Sequence, residues 1–494
     1  MCAVEGLRST PIILLFSLLT GLFRRAEKSL FKAFLGNLFT MTASDQNTSA
    51  PERPGILHIT WWEGALSSGI LENQVYEPLR CMADAHPEYR WMLFSAGPFL
   101  KTGFRDWLLR SSLCARFVPH AHIRNRLDTE VLRRDLGKHG IALFLRETVY
   151  APRTIYLRWP VPLMFPWFHL ARLARVIRRG NVKVVHCRSY SAAWVAMLTR
   201  RWMRVPFRLV FDMRGLVPEE GVLHGIFSRD SKSYRFWKRI EQALLEAADL
   251  IIAPSDTFAE HVETLTSNRN IFTPYTHSPI DVFSETPANT DWYEKFPALR
   301  NRPSLAYIGA LGPTSFHSLE NLVLMYSAFR RVITNALLLI ISRSDPQWLR
   351  AQLTQAGLGE EDYVLAATAG AREMAGLLKL ARYGALPYRV VTSPEEELIG
   401  RTMMASKTGE YLAAGLPLIC HPGIGSAARL IREQGVGCVY DIASSPDALR
   451  DSLTALDHDY HAVRKRCLDA AHIFDVQLNT ERCVQRYKEL MCNI

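Results

Sequence analysis

Ser406-Lys407-Thr408-Gly409-Glu410-Tyr411-Leu412-Ala413-Ala414-Gly415-Leu416-Pro417-Leu418-Ile419-Cys420 sets out, in fifteen residues, a helix start, a helix stop and a short apolar strand. Small and polar residues open it. Glu410 to Ala414 is a good helical run, Gly415 ends it, and Pro417 to Cys420 has the character of a buried strand. A helix N-terminus carries unpaired N–H groups and partial positive charge, which suits phosphate. Lys407 adds a cation there, and Glu410, one turn on, can accept hydrogen bonds from sugar hydroxyls. Spacing alone fits equally an ordinary helix–strand unit with a surface Lys-Glu pair.

The same alternation extends outward from this stretch. Towards the N-terminus lie strands at Leu305–Ile308, Leu337–Ile341, Tyr363–Ala366 and Tyr383–Pro387, with helices at Leu319–Val332, near Trp348 and at Ala371–Ala381. A helix through Ile431 and a strand Gly437–Tyr440 follow it. An earlier series has strands Ile56–Trp61, Arg90–Ser95, Val182–His186, Phe207–Phe211 and Leu250–Ala253. A loop with Gly64, Ser67, Ser68 and Gly69 follows the first of these. Ser255 caps a helix whose positive end holds Asp256. Strands alternating with helices imply parallel sheets with crossovers. The fold class is therefore α/β, two Rossmann-like doubly wound domains with an interdomain cleft, ligands lying beyond the C-terminal strand ends. The expected boundaries are a segment 1–40, a linker 41–55, an N-terminal domain 56–290, a C-terminal domain 291–475, and a helix in 476–494 packing back across the domains. Polar residues 276–304, with four prolines, are expected to connect the halves.

The chain has 494 residues, 48% hydrophobic and 22% charged, an ordinary globular balance with room for two or three cores. Its net charge of +11 favours anionic partners. No nucleic-acid motif accompanies that charge, and nucleic acid ranks last. The nine cysteines form no C-x-x-C pair, and several lie in apolar runs. That suits reduced, buried thiols in a cytoplasm, with neither a disulfide frame nor a metal site. In residues 1–40, Leu30, Phe31, Phe34, Leu35, Leu38 and Phe39 share one helical face, with Arg24, Arg25, Lys28 and Lys32 outside it. Two readings stand side by side: an interfacial helix on an anionic membrane surface, peripheral at the inner face of the cell membrane, or an assigned start upstream of a true start at Met41. The stretch Tyr156–Phe168 is apolar but broken by three prolines, so it is not one helix. It reads as a loop or as a surface facing lipid or acceptor.

Several blocks together resemble the family-4 type of glycosyltransferase, with its GT-B fold. They are Ile308-Gly309-Ala310-Leu311-Gly312, Ala371–Met374 with Gly384–Arg389, Lys407-x-x-Glu410 through Ile419, and Ala428–Asp441. The N-terminal half matches more loosely through Val184–His186, Phe211–Gly215 and Ala248–Ser255. The resemblance implies sugar transfer from a nucleotide-sugar to a saccharide or lipid-linked acceptor, with retention, in glycan or surface polysaccharide synthesis. The nucleotide-sugar is a substrate, and no cofactor and no metal are expected. Gly309 and Gly312 would admit the donor diphosphate, with Lys407, Thr408 and Gly409 holding phosphate and Glu410 the ribose. Arg343, Arg389 and Arg401 are candidates for the missing cation, because Pro313–His317 stands where the family usually has Arg and Lys. His186 and Glu410 are the catalytic candidates, and Gly69, Asp212 and Arg214 would line the acceptor side. Where the family often has a Glu eight residues before Glu410, this chain has Thr402. A nucleotide-sugar epimerase of the same fold and a sugar-nucleotide-binding protein without turnover are the rival readings.

Overall fold

In the computed structural model, which describes residues 53–61, 71–97, 129–147, 167–312, 316–388 and 393–492, thirteen strands form two sheets. Gly69, Arg389, the segment 1–40 and most of the Pro-broken stretch lie outside the described residues. The first sheet takes β1 (Gly55–Trp61), β2 (Arg90–Gly97), β3 (Ala142–Glu147), β4 (Val182–Arg188), β5 (Arg208–Asp212), β6 (Leu250–Ile252) and β7 (Ile271–Phe272). Their order is β3-β2-β1-β4-β5-β6-β7. The second takes β8 (Ser304–Ile308), β9 (Leu337–Ile341), β10 (Tyr363–Ala366), β11 (Tyr383–Leu386), β12 (Leu418–Cys420) and β13 (Gly437–Val439), in the order β10-β9-β8-β11-β12-β13. All ladders are parallel. Each sheet reverses its strand order once, between β1 and β4 and between β8 and β11, the switch points at which doubly wound sheets bind ligands. The α/β expectation and both series hold.

Two strands escaped the sequence reading. β3 lies at one edge in a stretch crowded with Arg and Pro, and β7 is two residues long at the other edge. Edge strands need less apolar sequence than central ones, so periodicity marks them weakly. The polar connection is also more structured than its composition implies. Helices Ile280–Glu285, Trp292–Lys295 and Ala298–Asn301 place Phe283, Trp292 and Leu299 in the core of the second sheet. The helix Val476–Cys492 returns to the first sheet. Cys483, Val484, Tyr487 and Leu490 join the core on one of its faces, and Arg208 Nε donates to the Leu490 carbonyl at 3.2 Å.

The two halves meet through helices. Val217–Leu223 and Asp256–Leu265 both pack on Pro394–Thr402. Ser255 caps its helix, its Oγ accepting from Phe258 N–H at 3.3 Å and donating to the Thr402 carbonyl at 2.8 Å. Ser426 Oγ lies 2.7 Å from Ser255 Oγ in the same buried contact. No helix among the described residues is long and apolar enough to cross a membrane. Cys187, Cys420, Cys438, Cys467 and Cys483 are buried free thiols.

One side chain fixes the geometry of the second switch point. β8 and β11 pair only at Tyr383↔Leu305 and Gly384↔Ala306. Beyond that the strands diverge and the ladder ends. Tyr411, fully buried on the helix Lys407–Ala413, fills the gap. Its hydroxyl accepts from Ile308 N–H at 2.9 Å and lies 3.2 Å from the carbonyls of both Ala306 and Ala385. Gly384 makes room: a Cβ there would come within 2.7 Å of the Tyr411 ring. Tyr411→Phe keeps the ring but strands the buried Ile308 N–H, which costs about 1–3 kcal/mol. Urea unfolding is expected to show that loss with an unchanged slope; unaltered stability would mean that water or a shifted strand satisfies the amide.

Candidate functional site

The site expected from Ser406–Cys420 assembles at the C-terminal ends of β8, β9 and β11. Gly309 follows β8 with φ +119°, a conformation that side-chain-bearing residues rarely adopt. Lys407 Nζ sits over it, where a Cβ on Gly309 would meet the ammonium at 2.8 Å. The ammonium is held by the Tyr307 hydroxyl at 3.0 Å and lies 4.5 Å from the Tyr307 ring centre. Gly309 N–H bonds the Ile341 carbonyl and Leu311 N–H bonds Ser344 Oγ. These contacts bring the Gly309–Gly312 loop beside exposed Arg343. A side chain at Gly312 would meet nothing within 4 Å, so close approach does not require glycine there.

Glu410 lies one turn after Lys407 and is partly buried. Its carboxylate has no hydrogen-bond or ion-pair partner among the described residues, and neither does Lys407 beyond Tyr307. Burial pushes the Lys407 ammonium below its ordinary value, partly offset by the charge of Glu410. Burial likewise pushes the Glu410 carboxyl up, partly offset by Lys407. Two desolvated charges without direct partners weaken the fold, a cost accepted where a ligand is to supply the partners. His317 stands close by, 5.9 Å from the Tyr307 ring. Burial, and then Lys407, hold it well below the usual histidine range, and its Nδ1 donates to the Pro387 carbonyl at 2.6 Å.

Other expected residues point elsewhere. The Thr408 N–H is taken by the Ala405 carbonyl at 2.9 Å, and its hydroxyl is buried without a partner. Gly409 packs on Ser278 and Phe474, 2.5 Å from Ser278 Oγ to its would-be Cβ. The Thr408 amide is thus engaged at its own helix start, and Lys407 reaches from the helix to the Gly309 loop. Thr402 is buried, its hydroxyl bonded back to the carbonyls of Leu398 and Ile399. Buried Glu395, one of three carboxylates earlier on the same helix, pairs with Arg229 at 3.1 Å.

His186 and Asp212 lie on the first sheet and face inward. Asp212 Oδ2 accepts from Arg214 Nε at 2.7 Å and from His186 Nε2 at 3.2 Å. His186 Nδ1 meets the Tyr487 hydroxyl at 2.6 Å, and His58 stacks on the His186 ring at 4.5 Å. His186 thus has both nitrogens engaged beneath the helix Val476–Cys492. Burial alone would raise the Asp212 carboxyl, but Arg214 and then His186 more than reverse it and hold it well below the carboxylate range. Arg214 takes positive φ (58°) two residues after the end of β5, as does Ser189 (66°) directly after β4. Backbone strain at adjacent strand ends is a mark of functional or over-determined positions. Around them Asp212 Oδ1, His58 Nε2 and His277 Nδ1 are buried without partners, beside a cavity of about 30 Å³ that Arg214, Gln74 and Asn479 also line. That volume suits one water molecule. Among the described residues no cluster of His, Cys, Asp and Glu is placed to hold a metal.

Tyr307, His58, His277 and Tyr487 were missed in the sequence. Tyr307 and His58 sit in apolar strands, His277 in a loop and Tyr487 on a largely polar helix, and only the fold sets them at these positions.

This double doubly wound architecture has close counterparts among solved structures. Its fold is GT-B. Sucrose-phosphate synthase (tll1590) from Thermosynechococcus elongatus matches over 90% of this chain and 100% of its own, with TM-score 0.59 and 15% identity. Anabaena Alr3699/HepE, solved with UDP and glucose, matches over 88% and 100%, with TM-score 0.55 and 13% identity. The lipopolysaccharide outer core galactosyltransferase WaaB matches over 88% and 99%, with TM-score 0.53 and 12% identity. Residues 144–272 match the family model described as a glycosyl transferase 4-like domain. That match runs from β3 to β7 and includes His186 and Asp212, but none of the Lys407–Ile419 stretch on which the resemblance was chiefly read. No curated protein matches the chain.

Two outcomes follow. The raised Glu410 carboxyl binds a proton in the folded state that the unfolded chain releases, so its ionisation lowers stability as pH rises from the ordinary carboxylate range towards neutrality. Glu410→Gln is expected to remove that fall and raise the thermal midpoint at pH 7 by the equivalent of about 1 kcal/mol. Asp212 has the opposite sign: its stabilisation is full above the ordinary carboxylate pKa and is lost as pH falls through the depressed folded value. Asp212→Asn should flatten the acid limb of stability against pH in a denaturation series; a limb of wild-type slope would place the acid sensitivity elsewhere.

Proposed function

We propose that this protein is a glycosyltransferase that takes its sugar from a nucleoside-diphosphate donor held by the second sheet. The observation that carries this reading is the pair Lys407 and Glu410, neither in an ion pair among the described residues, beside the positive-φ Gly309 at the switch point of a GT-B fold. Lys407, free of any carboxylate hydrogen bond among the described residues, faces the donor phosphates over the bare Gly309 backbone, with Arg343 on the flank. Glu410 accepts from the ribose hydroxyls. That Anabaena Alr3699/HepE binds UDP lends support to a uridine donor.

In this reading the departing diphosphate is neutralised by side-chain cations, without a divalent ion, and transfer proceeds with retention. The acceptor, a saccharide or lipid-linked saccharide of glycan or surface polysaccharide synthesis, enters from the side of the first sheet. The protein acts by stabilising the leaving phosphate and an oxocarbenium-like sugar. A second reading, donor binding without turnover, is favoured by Thr402. That position holds no carboxylate, and its hydroxyl is bonded into its own helix.

Calorimetric titration with UDP, and UDP release from a panel of UDP-sugars in the presence of lipid extract, test both. The expected outcome is saturable UDP binding that Glu410→Ala weakens about 10- to 100-fold, as for loss of hydrogen bonds to a charged acceptor. Acceptor-dependent UDP release, with the donor's anomeric configuration kept in the product, establishes transfer. Binding without release favours the second reading. Absence of binding to any nucleotide-sugar sinks both.

A further inference from the structure

Positive charge is concentrated in one part of the chain. Residues 148–211 contain eleven arginines, one lysine and no acidic residue, so they carry +12 where the whole chain carries +11. Asp249 pairs with Arg200 at 2.6 Å and with Arg208 at 3.1 Å, and Arg188 is buried. Arg172, Arg175, Arg178, Arg179, Arg201 and Arg204 are exposed, and none of the six pairs with a carboxylate among the described residues.

The fold gathers these six onto two neighbouring helices. On Trp167–Arg179, buried Leu170, Leu173, Ala174 and Ile177 face the sheet. Arg172, Arg175 and Arg179, at i, i+3 and i+7, form the outward stripe. Arg178 Nη2 donates to the Met203 carbonyl at 2.8 Å and ties this helix to the end of Ser189–Trp202. Arg201 and Arg204 lie there, with the Trp202 indole 42% exposed between them. Arg90 Nη1, at the start of β2, donates to the Arg179 carbonyl at 3.2 Å. The helix ends are thus pinned at the N-terminal edge of the first sheet, whereas Arg214 and Asp212 stand at the C-terminal ends of its strands. A substrate at the strand C-termini does not explain cations gathered at the opposite edge.

We propose that this arginine face docks the protein on a bilayer surface containing anionic phospholipid. Unneutralised cations spaced closer than the screening length sum to a field that draws in anionic headgroups. An indole exposed among arginines suits the headgroup layer, where Trp places its apolar ring and polar N–H. The apolar, Pro-broken run Tyr156–Phe168 leads directly into the arginine helix in the sequence. A single-stranded nucleic acid would instead call for a basic groove with several stacking rings.

Flotation of the full-length protein with phosphatidylcholine vesicles, with or without about 30 mol % phosphatidylglycerol to supply the negative surface potential that attracts basic segments, tests the proposal. The full chain is expected to float with the anionic vesicles only, and to be released as salt rises. Arg172→Glu, Arg175→Glu, Arg201→Glu and Arg204→Glu combined should lower partitioning at least ~10-fold, as the loss of several headgroup attractions requires. Trp202→Ser alone should weaken it less. Unchanged circular dichroism and UDP affinity in the fourfold variant show that the fold is intact. Equal flotation with neutral vesicles, unchanged flotation of the fourfold variant, or retention on nucleic acid with no flotation overturns the proposal.

Discussion

The Tyr411 hydroxyl is the contact on which the geometry of the second sheet's ligand edge depends. Parallel strands that run in opposite winding directions must separate at a switch point, and the separation leaves backbone groups without ladder partners. Here β8 and β11 share two paired residues, and the next amide, Ile308 N–H, is satisfied by Tyr411. The same hydroxyl lies against carbonyls from both strands. A buried amide is costly to leave bare, so this contact fixes the rotation and height of the helix Lys407–Ala413. With Tyr411 fixed, Lys407 comes to lie over Gly309, and Glu410 is held in the same turn. The absence of a side chain at Gly384 is what lets the ring approach.

Two polar groupings then differ in kind. On the first sheet, Tyr487, His186, Asp212 and Arg214 form a continuous hydrogen-bonded chain that joins the last helix to strands β4 and β5. Its members are engaged with one another, and its effect is to hold the returning C-terminal segment in place. Lys407 and Glu410 are engaged with almost nothing. Burial disfavours both charges and their mutual attraction offsets the cost only in part, which is the pattern of groups held ready for a ligand. The two groupings are linked through the crossover: Ser278, next to His277, which lines the same small cavity as His186 and Arg214, donates to the Ser406 carbonyl at 2.9 Å, directly before Lys407. The segment that joins the halves therefore touches both.

Charge follows the same division of the molecule. At the C-termini of β4 and β5, Arg188, Asp212 and Arg214 are paired or enclosed, whereas the unneutralised arginines gather at the other edge of the first sheet. A parallel sheet makes this separation natural, since every crossover helix ends at the strand N-termini and leaves its last turn there. Basic residues in a last turn also suit the helix dipole, and Arg178, Arg179, Arg200 and Arg201 all occupy such turns.

The sequence by itself determined the two doubly wound series, because central strands such as Leu337–Ile341 and helices such as Leu319–Val332 declare themselves through local apolar pattern and turn residues. It also singled out Gly309, Lys407 and Glu410, through a glycine after a strand, charges at a helix start and the resemblance those blocks carry; that Lys407 lies over Gly309 is a fact of the packing. Edge strands β3 and β7 were not legible, because pairing on one side asks little of their side chains. Neither were the inward turn of His186, the packing of Gly409 on Ser278, or the partnership of Tyr487 with a strand residue 301 positions away. Those depend on which face a strand residue presents and on which distant element covers it. A one-dimensional pattern cannot encode that: burial and hydrogen-bond satisfaction are decided only when the whole chain has packed.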